Sequence, residues 1–484
     1  MHIVDLSIFI LYMIVMLGVG YFFLKRNKNA DDYYVGGRQM GSLHVGLSVV
    51  ATDVGGGFSI GLGGLGFIMG IAGSWMLFTG LIGAWLSAVV LIPKVSKLSK
   101  KINLFTFPQI FEKYYGGKVA ILAGVISAIG YMGFTSSQIL AGAKLASATF
   151  VGLNLKTALV LMGVIAVVYT VMGGLKAVIY TDTIQWIILM SGLIFIGIPI
   201  AYNAIGGLSA IKETLPADFL SFGNVSWQEL LKWAVTIIPI WFVGMTLYQR
   251  IYSTRSKKEA QKAWFLAGLF EWPVMAMMGV LLGLFSRVAL ENGMFAELGY
   301  ATRESIDSEM GLPLLLRSVL PVGLMGLMMS AYFSAIMSTA DSCLMASSGN
   351  VLTDILDKIF HFKNDHKFIL RISQIITLFI GTMALLLALK MQNVLDLMLY
   401  SYAFMVSGLF IPILGALFWK KSTPLAAFVA MFLGGGTTLV LTIIETKLPY
   451  GLDPNIFGIS VSFIFFVAIS YLFPRKRPIQ EHIE

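Results

Sequence analysis

The fold class this sequence predicts is an all-α polytopic membrane protein of 13 transmembrane helices, ten of them forming a five-plus-five inverted-repeat core. Three observations predict it. Of 484 residues, 57% are hydrophobic and 12% charged, with a mean hydropathy of +0.83, which excludes a soluble domain. Stretches of about 20 apolar residues, the length that crosses a hydrocarbon core of about 30 Å, recur along the whole chain. Two of them, the second and the seventh, are interrupted by glycine or proline in corresponding places.

In chain order the apolar segments cover 4–24, 43–71, 74–96, 119–149, 156–174, 183–203, 229–251, 260–289, 314–347, 367–389, 394–418, 425–446 and 455–474. The first follows Met1-His2-Ile3, without a basic leader or a small-residue cleavage site, and is expected to remain as a helix. The second carries Ala51-Thr52-Asp53-Val54-Gly55-Gly56-Gly57, a carboxylate and three glycines at mid-length. A bilayer tolerates such a charge and such a break only where they face protein or a water-filled cavity. A packing kink would explain the glycines but not Asp53. The seventh breaks around Pro239 to Gly244, five helices later; five is odd, so the second unit is inverted relative to the first. Residues 43–203 (helices 2–6) and 229–418 (helices 7–11) are then the repeats, joined by an extracellular loop at 204–228. A leading helix and cytoplasmic loop (1–42) precede them, and two C-terminal helices with a short tail (419–484) follow. Paired interruptions of this kind point to a secondary transporter whose site lies where the two breaks face each other. The ninth segment holds the only cysteine, Cys343, so no intrachain disulfide can form.

Charge orients these helices, because basic residues accumulate on the cytoplasmic side. With the N-terminus outside, inside loops and flanks hold Lys25 to Arg38, Lys94 to Lys118, Lys176, Arg250 to Lys262, Lys358 to Arg371, Lys420-Lys421 and Arg475 to Arg477, together 25 of the 34 basic residues. The opposite loops are sparse in Lys and Arg, and 290–313 is acidic, with Glu291, Glu297, Glu304, Asp307 and Glu309. The C-terminus is therefore expected in the cytoplasm and the protein in a plasma membrane, most plausibly a bacterial inner membrane. The net charge of +9 reflects this topology and attraction to anionic lipid, and implies no nucleic-acid partner. No Walker lysine, metal-type Cys/His spacing or nucleophile elbow occurs, so neither an enzyme nor a primary pump is expected.

Two motifs carry a family likeness: Gly173-Gly174-Leu175-Lys176-Ala177-Val178-Ile179-Tyr180-Thr181-Asp182 followed by Gln185, and Ala335-Ile336-Met337-Ser338-Thr339-Ala340-Asp341-Ser342. Gln249-Arg250, Gln138 with Gly142 and Lys144, and Phe418-Trp419-Lys420-Lys421 support them. In this ordered set the chain resembles the sodium/solute symporters, sodium-coupled carriers for proline, sugars, sialic acid, pantothenate, iodide and choline. The resemblance spans nearly the whole chain. It implies a leucine-transporter-like core, Na+ as coupling ion, and a small-molecule solute as the other partner; it leaves the oligomeric state open.

Sodium is a hard cation that takes about five or six oxygens, which unwound carbonyls and hydroxyls provide without full charges. Ser338 and Thr339 with Ala335 one turn earlier offer two hydroxyls and a carbonyl on one helix face. Alone, those hydroxyls would be read as bonding back to their own helix. By resemblance, a first sodium is held by the carbonyls of Ala51, Val54 and Ala335 and the hydroxyls of Ser338 and Thr339. Asp182 opens segment six, where it could serve as a helix cap. In family members with a second sodium the matching Asp works with hydroxyls that correspond to Ser338 and Ser342. This chain departs from the proline and sugar carriers by having Asp341 in that helix, so a second cation or a proton at Asp182, Asp341 and Ser342 is expected.

The solute, by resemblance, lies between the break of segment two and segments four, seven, eight and eleven. These supply Asp53, Gly56, Gly57, Phe58, Gln138, Trp241, Met245, Glu271 and Tyr402. Sugar carriers of the family have a lysine where this chain has Glu271, which argues against a sugar site of the same design. Acids with Trp241 and Phe58 suit an ammonium group, each ring contributing about 0.5–2 kcal/mol. The expected solute is an amino acid such as proline or a quaternary amine such as choline, with a sugar, an organic acid or proton coupling as alternatives. A channel would need a lined pore or filter that is not visible, and a fused sensor would need a soluble domain.

Overall fold

The computed structural model of the chain describes residues 2–24, 36–150, 152–172, 175–361, 366–444 and 448–475, and among these no strand forms. Gly173-Gly174 and Lys25 to Lys28 lie outside the described residues. The side chains of Asp53, Val54, Phe58 and Lys176, and the burial of Gly57, do so as well.

Helices α1 (Ile3–Leu24), α2 (Ser42–Met69), α3 (Trp75–Val90), α4 (Ile92–Ile102) and α5 (Pro108–Tyr115) lead into the long α6 (Gly117–Thr149). Next come α7 (Leu155–Met172) and α8 (Leu175–Gly192), which runs through one π-turn into α9 (Ile198–Ala204). The short α10 (Gly207–Thr214) precedes α11 (Trp227–Val243) and α12 (Met245–Ser253), then α13 (Lys257–Phe270) and α14 (Met277–Glu291). The remainder is α15 (Gly311–Val319), α16 (Leu324–Gly349), α17 (Asp357–Phe360), α18 (His366–Ala388), α19 (Val394–Phe418), α20 (Pro424–Ile444) and α21 (Pro454–Leu472). Among the described residues eight helical stretches are long and apolar enough to cross a membrane, nine when α11 and α12, bent by 42°, count as one span.

Both expected interruptions form. In α2 the break falls at Gly55 (φ 31°, ψ −158°), and in the seventh segment α11 ends and α12 begins at Gly244 (φ −68°, ψ 111°). Backbone freed inside a membrane must find a partner, and each break has one from another helix. Gly56 N donates to Gln138 Oε1 of α6 at 2.7 Å, while Gly55 O accepts from Ser59 Oγ at 2.5 Å. At the second break Thr246 N donates to the Tyr131 hydroxyl at 3.1 Å, and Phe242 O accepts from Tyr248 at 2.7 Å. The long helix α6 thus braces both breaks.

α2 lies at the centre, packed by α13 and α14 on one side and by α8 and α16 on another, with α6 and α16 closely paired behind its break. The break admits no side chain. A Cβ on Gly55 would lie 2.7 Å from Thr339 Cγ2 and 2.8 Å from Gln138 Oε1, and on Gly56 2.5 Å from Ala141 Cβ.

Two sequence expectations need correction. The ninth segment, 314–347, is not one helix: α15 ends at Val319 and α16 begins at Leu324 and runs on through a π-helical stretch beyond 347. Pro321 lacks an amide donor and holds Leu320 in extended backbone (ψ 135°), which hydropathy alone does not register. Asp182 does not open its helix either: α8 starts at Leu175, so the carboxylate sits two turns inside and cannot be an N-cap.

The N-terminus of α16 is capped from far away, where Asp5 Oδ1 of α1 accepts from Gly323 N at 2.7 Å and Gly326 N at 2.9 Å. A buried anion on exposed amides at a helix start is favourable on both counts. Asp5→Ala is expected to destabilise the protein by about 1–3 kcal/mol, the range for buried donors left unsatisfied. Asp5→Asn, which keeps the acceptor, should lose less. Thermal unfolding in detergent checks this, and an alanine variant that melts like the parent would refute the cap.

Candidate functional site

Where the break of α2 meets α16, the Thr339 hydroxyl lies 3.1 Å from Ala51 O and 3.2 Å from Ala335 O. One carbonyl belongs to its own helix and the other to α2, so bonding back to its own turn is only half of what this hydroxyl does. Thr339 is fully buried. Three of the five expected first-sodium groups, Ala51, Ala335 and Thr339, therefore meet at one point as oxygens only, the donor set a hard monovalent cation takes. Ser338, the fourth, turns its hydroxyl toward Asp182 and donates to Oδ1. Its oxygen lone pairs stay available to an ion.

Asp182 is the centre of a second buried cluster. Its Oδ2 also accepts from Ser48 Oγ of α2 at 2.6 Å and faces the Arg250 guanidinium at 3.7 Å. Arg250 is fully buried and donates to Ser48 Oγ (3.2 Å), Thr246 O (3.2 Å), Thr52 Oγ1 (2.5 Å) and Ser342 Oγ (3.2 Å). The Asp182–Arg250 attraction is about 4 kcal/mol at an effective dielectric of about 20, less than the desolvation of two charges. The hydroxyl and carbonyl partners offset the difference. Asp341, one turn from Ser338 on α16, is 1% exposed and its oxygens make no hydrogen bond of normal geometry, with Thr170 of α7 facing it. Arg250, which topology counting treats as a cytoplasmic flank, links Asp182 to Ser342, and Asp341 precedes Ser342 on α16.

The expected solute residues divide. Gly56 and Gln138 meet at the α2 break, with Gln138 holding the Gly56 amide. Trp241 and Glu271 meet elsewhere, on one face of α3, where Trp241 packs on Gly83 and Glu271 on Gly80. Trp241 also stands edge to face with Trp264 at 6.2 Å. Tyr402 stands against Phe134 of α6 at 5.1 Å, and Met245 Sδ accepts from Phe107 N, at the α5 end of the molecule.

Sequence reasoning missed Ser48, Thr52 and the role of Arg250. Ser48 and Thr52 are one turn apart and so share a face of α2; that spacing just before Asp53 was the available signal. It also missed the partners of Lys144. This fully buried lysine pairs with Asp307 and, at 2.6 Å, with Glu309, both from the acidic 290–313 segment. Glu309 in turn accepts from Val394 N (2.9 Å) and Leu395 N (3.0 Å), capping α19. Six residues along α6 from Gln138, about 9 Å, the acidic loop is thereby latched over the helices that hold the break.

A model of the sodium:solute symporter family matches residues 33–434. The chain belongs to the sodium:solute symporter family. It is thus a sodium-coupled symporter of a membrane, and Na+ is its coupling ion. The symporter is 27% identical over 466 residues to the high-affinity proline transporter of Bacillus subtilis (strain 168), covering 94% of this chain and 95% of that one. It is 26% identical over 476 residues to sodium/glucose cotransporter 1 of Oryctolagus cuniculus, covering 89% and 70%. Among solved structures, a substrate-bound outward-open Na+-coupled sialic acid symporter has the same fold, with a TM-score of 0.78 at 21% identity over 98% of this chain and 100% of that one.

Thr339→Val keeps the shape of the side chain and removes the oxygen. It is expected to raise the sodium concentration for half-saturation at least about tenfold, equivalent to about 1.4 kcal/mol, while Thr339→Ser stays near the parent. Equilibrium binding of radioactive sodium to purified protein is the check; equal affinities in parent and valine variant would remove Thr339 from the site.

Proposed function

We propose that this chain carries a small amine-bearing solute, proline or a quaternary amine, inward with sodium by alternating access across a bacterial inner membrane. Its chain would cross 13 times with the N-terminus outside, and helices 2–6 and 7–11 would be inverted repeats. The observation that carries the reading is the meeting of Ala51, Ala335 and Thr339 oxygens at a helix break. Sodium there would tie α2 to α16 and pre-shape the solute site, and its loss to a low-sodium cytoplasm would release both. Coupling is the difference in ion affinity between the two conformations. A membrane potential adds about 2.3 kcal/mol per charge per 100 mV, so one sodium with a neutral solute is driven inward by voltage too.

Two features favour the amine. The relatives include proline carriers, and Glu271 and Trp241 sit one turn apart against the same helix, an acid beside an indole, the pairing that attracts a substituted ammonium. The Asp182, Asp341 and Ser342 cluster is proposed as the site of a second cation. Asp341 has the free oxygen valence to accept it.

Uptake into proteoliposomes against a panel of proline, choline, glucose and pyruvate tests the reading. Accumulation of an amine driven by an inward sodium gradient is expected, and Glu271→Lys should reduce it at least about tenfold, the scale of a lost close charge, while sodium binding persists. Accumulation of glucose or pyruvate instead would overturn the solute class. Uptake driven by a proton gradient and indifferent to sodium would overturn the coupling.

A further inference from the structure

Arg250 occupies one end of the second ion cluster. Its guanidinium is held by the Asp182 carboxylate and by the hydroxyls of Ser48, Thr52 and Ser342. Two of these, Asp182 and Ser342, are the groups a second coupling cation would need. An arginine keeps its charge at every accessible pH, so it is a permanent cation, and a second one cannot share the same buried carboxylate at close range without strong repulsion.

The position of Arg250 on the chain gives this competition a mechanical consequence. It stands in α12, six residues after the Gly244 break, on a half-helix bent by 42° from α11. That half-helix is hydrogen-bonded to Ser48 and Thr52 of α2 and to Ser342 of α16 through the guanidinium, so releasing the guanidinium removes these polar ties and leaves only packing between α12 and both helices. Ser338 connects the two ion positions: it donates to Asp182 while belonging to the expected first-sodium set.

We propose that Arg250 is an internal cation that competes with the second coupling ion for the Asp182 site, so that ion entry there requires α12 to swing about Gly244. The inference rests on the reading of Asp182, Asp341 and Ser342 as a second cation site. When the ion arrives, Asp341 receives it, Asp182 exchanges the guanidinium for it, and α12 is freed to move. When the ion leaves, Arg250 returns and restores the arrangement of this structure.

The test is equilibrium binding of radioactive sodium to the full chain in nanodiscs, for the parent, Arg250→Gln and Arg250→Lys. Removing the internal cation should make the second sodium bind at least tenfold more tightly in Arg250→Gln, Arg250→Lys should behave as the parent, and Asp182→Asn added to Arg250→Gln should abolish the gain while leaving the first sodium bound. An Arg250→Gln variant with unchanged or weaker second-site binding overturns the proposal and leaves the symport reading standing; a parent that binds no sodium overturns both. Should Arg250→Gln fail to fold, the parent alone decides: sodium in the second-site range should speed hydrogen exchange of the α12 amides, and exchange rates equal with and without sodium overturn the proposal.

Discussion

Backbone polar groups released inside a membrane must be satisfied by protein or by ligand, and this constraint, acting at the Gly55 break of α2, organises the rest of the molecule. Gln138 takes the Gly56 amide and Ser59 takes the Gly55 carbonyl, and the Ala51 carbonyl accepts from a side-chain hydroxyl of another helix. A hydroxyl shared between two carbonyls, one 3.1 Å and the other 3.2 Å away, is a weak tie that a sodium ion can replace with a stronger one. The break thus brings oxygens of α2 and α16 to one point, the kind of donor set a hard cation takes.

Charge obeys the same rule. Two sets of ionic side chains form networks: Asp182 with Arg250 near the α2–α16 junction, and Lys144 with Asp307 and Glu309 toward the acidic loop. Both networks bridge elements distant in sequence, and Glu309 additionally caps α19. Buried ion pairs contribute little net stability against apolar replacements, but breaking one by removing a single partner leaves an uncompensated charge. Their value here is to define positions of helices relative to one another.

Much of this was legible in the sequence, for definite physical reasons. The helix breaks could be read because glycine and proline interrupt an otherwise apolar run, and the Ala335 to Ser342 face because hydroxyls at helical spacing are visible without coordinates. The identities of the groups that satisfy the breaks were not legible: Gln138 and Tyr131 lie 82 and 115 residues from the amides they accept, and no local pattern encodes such pairing. Arg250 was misjudged because counting basic residues for topology treats each as a flank, whereas this one turns inward and is fully buried. Asp182 was placed at a helix start because hydropathy marks where apolar residues begin, not where hydrogen bonding begins. Lys144 and the acidic loop were each noticed, yet their pairing across more than 160 residues could come only from the fold.

The central claim is that the meeting of Ala51, Ala335 and Thr339 is where the coupling sodium binds. High-resolution density maps of the protein prepared in sodium and in N-methylglucamine test it most directly. The account predicts a spherical feature within sodium-ligand distance of the Thr339 hydroxyl and the Ala51 and Ala335 carbonyls, present in sodium only. Maps without that feature, or with sodium-dependent density only at another place, would contradict it.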